Sequence, residues 1–301
     1  MIVIAYYLSF NVIAQKFNYD RIKFIIKGLF MSVRQFYKFE EVEGLKVGRI
    51  NQGINTNFIV YRIGDTVIDS GPSNQWRHVK KFLSQAKVSQ LLLTHHHEDH
   101  SGNAHKIGKL FNIKPKAPML AQEKLRNGYK TPLLQKFVWG SLVPVETTHL
   151  KTEEFLSDGS KVIPVHTPGH AKDLTCFFIP SKKYFFSGDL YIAPKLKMLR
   201  SDEHLGLLLK SINEVLTLDF ETLFCPHGGI IENGKEALTK KRDYILNLIE
   251  QTNLLVAKGF DVSAIIIKLL GPEDIVSKVT QGNFCKENLI RQCIALDTSK
   301  I

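Results

Sequence analysis

The segment Thr94–His100, with the sequence THHHEDH, concentrates side chains that bind divalent metals. Its residues His95, His97, Asp99 and His100 follow the pattern H-x-H-x-D-H, and imidazole and carboxylate groups are ligands that zinc and similar ions prefer. Alternation along an extended chain separates the first pair from the histidine between them, so that pair can share one metal. Asp99 and His100 can then turn toward a second metal. A bare histidine run would indicate a surface turn, but the added D-H pair after the apolar LLLT predicts a metal centre.

Four further polar residues stand at predicted strand ends or in turns between strands. They are Asp69 in DSG, His170 in HTPGH, Asp189 in SGD and His227 in PHG. Each of them alone would be interpreted as a turn or cap residue. Because loops at strand ends can point side chains into one cleft, the four together predict that they join the segment Thr94–His100 in a single site.

The apolar periodicity around these residues predicts strands and helices up to residue 232, and a sheet-on-sheet core with helices outside. Strands are expected within 45–70 and at 91–93, 161–166, 174–179, 184–187 and 222–225. Helices are expected at 75–87, 103–111 and 203–217. Residues 120–150 indicate an insert or cap near the site. From residue 233 only helices are expected, at 234–257, 261–270 and 286–297.

The order of the motifs DSG, THHHEDHSG, HTPGH, SGD and PHG resembles that of the metallo-β-lactamase superfamily over roughly residues 45–230. The resemblance implies an α+β fold, an αββα sandwich with the site at one edge of its two sheets. A C-terminal all-helical extension follows. We therefore predict an uncertain extension over 1–30, a catalytic domain over 31–232 and a helical, winged-helix-like region over 233–301.

The resemblance also implies seven metal ligands in two groups with one shared residue. The first group is His95, His97 and His170. The second group is Asp99, His100 and His227, and the residue that bridges the two metals is Asp189. Asp69 would orient the ligand loop by hydrogen bonds. Zinc is the best match for the two divalent ions, and such a site also accepts iron or manganese.

A site of this kind predicts a binuclear metal-dependent hydrolase. Metal binding brings the pKa of water down to about 7, so a metal-bridging hydroxide can attack at neutral pH. Asp99 is the predicted catalytic residue, because it could also orient the nucleophile or take a proton. We expect the target to be an ester or thioester carbonyl of a small anionic substrate. The alternative is an RNA-processing phosphodiesterase.

Details of the motifs separate branches of the superfamily. The three consecutive histidines resemble those of glyoxalase II thioesterases, and the helical tail resembles a branch with a mitochondrial endoribonuclease and polyketide thioesterase-like enzymes. The bridging Asp189 argues against antibiotic hydrolysis, because metallo-β-lactamases usually lack it. No long insert typical of RNA-processing relatives lies between Asp189 and His227, which disfavours the RNA alternative.

A basic loop after Asp189 is the candidate for substrate binding. It contains Tyr191 and three cationic residues, Lys195, Lys197 and Arg200, and such a loop suits a carboxylate, phosphate or coenzyme moiety. The alternative is a solvated basic loop, and the sequence favours neither.

Three aromatic residues in the expected cap, Tyr129, Phe137 and Trp139, suit either an apolar wall over the cleft or packing of the cap itself. We favour packing.

The composition is that of a soluble globular protein, with 44% apolar and 23% charged residues. The net charge of +11 suits an anionic partner. The basic residues are spread along the chain without a long run, so nucleic acid is a possible but not favoured partner. Four cysteines without regular spacing indicate reduced thiols in the cytoplasm rather than a disulfide framework.

Residues 2–14 are mostly apolar, but they are too few to span a bilayer, which needs about 20 residues. No Lys or Arg precedes them, as a secretory signal would require. An over-extended start before Met31, a weak export or anchoring segment and an extra helix all stay open. We expect no transmembrane span.

Overall fold

The structure is a computed structural model that describes residues 33–50 and 56–297. The predictions for residues 1–30 lie outside the described residues. Among the described helices, none combines the length and the apolar character that a membrane crossing requires.

Seven strands form the first sheet in chain order, antiparallel from β1 to β4 and parallel from β4 to β7. They are β1 (Val33–Phe39), β2 (Val42–Gly48), β3 (Asn57–Ile63), β4 (Thr66–Ile68), β5 (Gln90–Leu92), β6 (Lys116–Ala117) and β7 (Thr148–His149). The predicted meander therefore begins earlier than residue 45. Edge strand β1 is largely exposed, so its side chains carry no burial pattern that a sequence could reveal.

Six strands form the second sheet in the order β14-β13-β11-β10-β9-β8, which is antiparallel except for the parallel pair β11 and β13. They are β8 (Glu154–Phe155), β9 (Lys161–His166), β10 (Thr175–Ile179), β11 (Tyr184–Phe186), β13 (Thr222–Cys225) and β14 (Gly229–Ile231). A separate antiparallel pair joins β12 (Leu199–Arg200) to β15 (Phe284–Cys285).

Helices cover the outer faces of both sheets. Near the first sheet are α1 (Trp76–Leu83), α2 (Glu98–Ser101), α3 (Ala104–Phe111), α4 (Gln122–Asn127) and α5 (Leu133–Trp139). Over the second sheet are α6 (Leu205–Leu216), α7 (Gly234–Ala257), α8 (Val262–Leu270) and α10 (Lys286–Ala295), and α9 (Ile275–Val279) lies beside β15. The helix predicted over 75–87 spans Trp76–Leu83. Ala86, which was expected on its buried face, is exposed in a bend after the helix.

Strand β3 shows why the molecule has four layers. All seven of its residues are buried, so both of its faces are covered. Phe58 and Val60 pack under the helices on one side, whereas Ile59, Tyr61 and Ile63 face the second sheet. This is the predicted αββα sandwich, and the predicted helical extension packs on its second sheet.

An aromatic cluster fastens the two sheets to each other. The Phe186 and Phe224 rings stack at 4.5 Å between centroids, and the Tyr61 ring meets both edge-on. The Tyr61 hydroxyl donates to the Cys225 carbonyl at 2.9 Å, which satisfies its polar end inside the core. All four cysteines are buried and unpaired.

The helical region after residue 233 shares its core with the second sheet. Leu238, Ile245 and Leu289 pack in the same cluster as Leu208 and Phe185. The region also contributes the two-residue strand β15, which the sequence pattern did not predict. The domain division at residue 232 stays a prediction.

Gly169 brings the turn before His170 against α6. Its φ is +145°, and a Cβ on it would lie 2.5 Å from the Leu208 Cα. Its carbonyl accepts a hydrogen bond from the His204 backbone at 2.8 Å. A side chain here would therefore push the turn away from the helix.

We expect Gly169→Ala to lower the free energy of unfolding more than Gly159→Ala does. Gly159 also has a positive φ, of +84°, but a Cβ on it would meet nothing within 4 Å. In the Gly159 variant, backbone strain alone should lower the free energy of unfolding, by about 1 kcal/mol. In the Gly169 variant, overpacking should lower it by roughly a further 1–3 kcal/mol. Urea unfolding followed by tryptophan fluorescence measures both. Equal losses would mean that the close approach to α6 is unimportant.

Candidate metal centre

The histidine-rich loop begins where β5 leaves the first sheet. The apolar residues Leu91–Leu93 are fully buried and fix the start of the loop, and every residue from Thr94 to His100 is buried as well. Buried polar side chains need partners, so the contacts of this loop explain how it is held.

Asp69, at the end of β4, holds the loop through three short contacts. Its Oδ1 accepts from the Thr94 backbone N–H at 2.8 Å, and its Oδ2 accepts from the Thr94 hydroxyl at 2.8 Å. The same Oδ2 lies 2.8 Å from His100 Nδ1. Asp69 has a φ of +57°, which non-glycine residues adopt at a cost, so its backbone is strained at this position.

The first candidate ligand cluster consists of His95, His97 and His170. His97 Nδ1 lies 2.9 Å from His95 Nε2 and 3.1 Å from His170 Nε2. One nitrogen of each ring lies within 4.8 Å of those of the other two, which is the spacing that a shared cation needs. His170 comes from the turn between β9 and β10, so both sheets contribute to this cluster.

The second candidate cluster consists of Asp99, His100 and His227. Asp99 Oδ2 lies 3.8 Å from His100 Nε2 and 3.5 Å from His227 Nε2. His227 follows β13, at the same edge of the sandwich.

Asp189 lies between the two clusters. Its Oδ2 is 3.1 Å from His170 Nε2, in the first cluster. Its Oδ1 is 3.1 Å from His100 Nε2 and 3.3 Å from His227 Nε2, in the second. One carboxylate therefore presents one oxygen to each cluster.

Hydrogen bonds on the far side of the rings fix which nitrogen faces inward. His170 Nδ1 lies 2.5 Å from Glu203 Oε1, and His227 Nδ1 donates to the Asn57 carbonyl at 2.8 Å. With the proton on Nδ1, the Nε2 lone pair of each ring points into the site.

Two buried atoms show that the residues fit a cation. Among the described residues, His100 Nε2 and Asp189 Oδ1 are buried and make no hydrogen bond, although they lie 3.1 Å apart. In a neutral His100 ring whose Nδ1 donates to Asp69, both inward atoms present lone pairs. A divalent ion between them would satisfy both and offset the cost of burial.

The electrostatics of the site agree with this interpretation. Burial would raise the pKa of Asp189, but the neighbouring His100, His227 and His170 hold it well below its usual range. Burial would lower the pKa of His100, but Asp189, Asp69 and Asp99 raise it well above its usual range. The buried carboxylates thus demand positive charge, which metal ions supply when the histidines are neutral.

Sequence reasoning missed a polar cluster on the other side of the loop. His96 points away from both candidate clusters, and its Nδ1 lies 2.8 Å from Asp173 Oδ1. Lys124, on α4, places its ammonium 2.9 Å from His96 Nε2. Tyr129 donates to Glu98 Oε2 at 3.0 Å, and burial raises the pKa of the Glu98 carboxyl. The partners in these pairs lie far apart in the sequence and belong to no motif, so no sequence signal indicates their contacts.

The predicted substrate-binding residues lie in different places. Arg200 reaches the site, with Nη1 3.3 Å from His97 Nε2. The Tyr191 ring is buried in the core cluster of the second sheet, near the Lys241 ammonium. Lys195 and Lys197 are exposed and make no hydrogen bond or ion pair with any other residue in the described ranges.

The cap aromatics also divide. The Trp139 ring is 6.2 Å from that of His227 and is mostly buried in the core cluster below the cap, so it packs and borders the site at once. Phe137 is 45% exposed, with the Arg49 guanidinium 5.0 Å above its ring.

Residues 52–227 match the sequence profile of the family described as the metallo-beta-lactamase superfamily. That stretch includes every member of both clusters and Asp189. Among solved structures, a beta-lactamase domain protein from Burkholderia ambifaria has a TM-score of 0.62 at 14% identity, covering 83% of this chain and 94% of that chain. A metallo-beta-lactamase from Pontibacter korlensis has a TM-score of 0.56 at 16% identity, covering 71% and 100%.

Among curated proteins, the chain is similar to an atrochrysone carboxyl ACP thioesterase from Aspergillus fumigatus. The two are 26% identical over 196 residues, which is 64% of this chain and 56% of the relative. A lactamase-like protein from Pestalotiopsis microspora is 26% identical over 209 residues, 68% of this chain and 58% of the relative. The chain thus spans little more than half the length of these relatives.

We expect the purified protein, stripped with a chelator and titrated with zinc, to bind about two ions per chain. Asp189→Ala should bind about one or fewer, because each cluster loses an oxygen and the histidines lose the charge they face. His105→Ala is the matched control, since His105 is an exposed histidine whose ring contacts the Pro144 carbonyl. Elemental analysis gives the stoichiometry. Two tightly bound ions in Asp189→Ala would contradict a shared carboxylate.

Proposed function

Because this chain belongs to the metallo-beta-lactamase superfamily, we propose that it is a hydrolase that cleaves an ester or thioester of a small anionic substrate with two divalent metals. The observation that carries the proposal is Asp189, which presents one oxygen to each cluster. We propose His95, His97 and His170 as ligands of one metal, and Asp99, His100 and His227 as ligands of the other. Zinc is the metal we propose, with iron or manganese as alternatives.

When bound, two such ions supply a hydroxide at neutral pH and Lewis acidity toward a carbonyl oxygen. The residues of the chain do the rest. Asp69 and Thr94 keep the ligand loop in place, and Glu203 holds the His170 ring. We propose that Asp99 orients the attacking water and accepts its proton, because its carboxylate is the one in the second cluster that is not shared with the first.

The names of the relatives support a thioester as the substrate class. An atrochrysone carboxyl ACP thioesterase acts, as its name says, on an acyl carrier protein thioester. At 26% identity and little more than half of that relative's length, the similarity supports the reaction class and leaves the acyl group open. A thioester is also the easier target, because a thiolate leaves more readily than an alkoxide.

Arg200 is the side chain we propose for the anionic group of the substrate. Asp202 accepts from its Nε at 3.0 Å and from its Nη2 at 2.9 Å, which orients the guanidinium. If His97 Nδ1 holds a metal, its Nε2 carries a hydrogen and cannot accept from Arg200 Nη1. The Nη1 group of Arg200 is then available to donate to a carboxylate or phosphate of the substrate.

The first test compares two substrate classes on the metal-loaded protein. We expect turnover of an acyl-thioester panel and none of a short single-stranded RNA, and Asp189→Ala should abolish the thioester activity. RNA cleavage with weak thioester turnover would favour the phosphodiesterase alternative, and steep salt dependence of RNA binding would support it further. No turnover of either substrate at full metal occupancy would refute the proposal.

The second test concerns Arg200. We expect Arg200→Ala to raise KM for a carboxylate-bearing thioester about 10-fold, the value of one charge-assisted hydrogen bond. The effect on the matching uncharged thioester should be small. Lys195→Ala is the control, because Lys195 is exposed on the same loop and makes no contact with the site. An equal rise in KM for both thioesters would show that Arg200 does not bind the anion.

A further inference from the structure

The loop from Leu199 to Leu205 connects the candidate metal centre to the C-terminal helices. On its inner side, Glu203 Oε1 lies 2.5 Å from His170 Nδ1. The other oxygen of the same carboxylate accepts from the Arg200 backbone N–H at 2.9 Å. The loop thus ties the orientation of His170 to the position of Arg200.

On its outer side, the loop is bound to the C-terminal region by backbone and side-chain contacts. Strand β12 pairs with β15, which places Arg200 opposite Phe284. The Ser201 backbone N–H donates to the Asn283 carbonyl at 2.9 Å. The Asn288 amide donates to the Leu199 carbonyl at 3.2 Å.

Gln292, on α10, makes the contacts closest to Glu203. Its Nε2 donates to the Glu203 carbonyl at 2.9 Å, and its Oε1 accepts from the Leu205 backbone N–H at 2.7 Å. Leu205 is the first residue of α6, and its N–H has no partner within the helix. One amide side chain therefore holds the backbone on both sides of His204.

Packing of α10 does not by itself require this amide. Leu289, Ile290 and Cys293 are fully buried and fasten the helix to the core. An apolar residue at position 292 would leave those contacts intact. The amide instead satisfies two backbone groups that belong to the loop.

We infer that the C-terminal helical region is a positioning part of the metal centre, acting through Gln292 on Glu203 and through Glu203 on His170. The inference rests on the proposed ligand set. It assigns a positioning role to Gln292, which lies outside every motif that supplies a ligand. Partners behind a ligand typically change metal affinity 10- to 100-fold, roughly, when they are removed. Gln292 is one contact further out, so we expect its removal to have an effect near the lower end.

The experiment is a double-mutant cycle on zinc affinity. The full-length protein carries Gln292→Ala, Glu203→Ala or both, and competition with a chromophoric chelator gives the two zinc dissociation constants. We expect Gln292→Ala to weaken one zinc about 10-fold and Glu203→Ala to weaken it more. In the Glu203→Ala background, Gln292→Ala should add less than about twofold, because the two residues act on one path.

Arg291→Ala is the matched control on the same helix, since Arg291 is exposed and, among the described residues, pairs only with Glu287. It should leave both zinc constants unchanged. Gln292→Asn keeps the same polar groups but withdraws them by one carbon, so it gives the same comparison if the alanine variant does not fold.

Two results would overturn the inference. One is an unchanged zinc affinity in folded Gln292→Ala or Gln292→Asn. The other is an equal loss from Gln292→Ala with and without Glu203, which would indicate a general loss of structure. Failure of the proposed function would look different, because the unaltered protein would then not bind two ions or would not turn over a thioester.

Discussion

The arrangement of the site depends on one buried negative charge, the Asp189 carboxylate between two histidine clusters. Three imidazole nitrogens lie within 3.3 Å of its oxygens, and the carboxylate is almost fully buried. A charge in this position must be neutralised, so the neighbouring rings have to present either protons or lone pairs that hold cations. Because Asp69 and Glu203 accept from Nδ1 of His100 and His170, it is Nε2 of each ring that faces inward, and it presents a lone pair to a cation when the ring is neutral.

The sandwich makes this arrangement possible because both sheets end at the same edge. The first sheet supplies Asp69 and the loop after β5, whereas the second supplies His170, Asp189 and His227. A shift of one sheet against the other would separate the two halves of each cluster. The edge-on packing of Tyr61 against Phe186 and Phe224 opposes such a shift, since close-packed interiors resist displacement of one part against another. The packing of the core therefore also fixes the distances between the ligands in the site.

The sequence predicted the fold class and brought seven candidate ligands together because those residues occur in short motifs at strand ends. The residues that hold the ligands in place do not occur in such motifs. Glu203 lies 33 positions after His170, and Asp173 meets His96 across 77 positions, as isolated residues without a motif. The basic loop shows the same limit: Arg200 reaches His97 while the Tyr191 ring turns into the core. Only packing determines those directions. Edge strand β1 was missed because most of its residues are exposed.

The C-terminal helices share a hydrophobic core with the second sheet of the sandwich. Leu208 and Ile212 of α6 pack with Leu238 and Leu289 in one cluster, which crosses the boundary predicted at residue 232. The loop that carries Arg200 and Glu203 leads directly into α6, so the same packing sets its position. A sandwich without these helices would expose that cluster and release the outer side of the loop. The position of Arg200 at the site thus depends on Phe284 in β15 and Gln292 in α10, which lie 84 and 92 positions further along the chain.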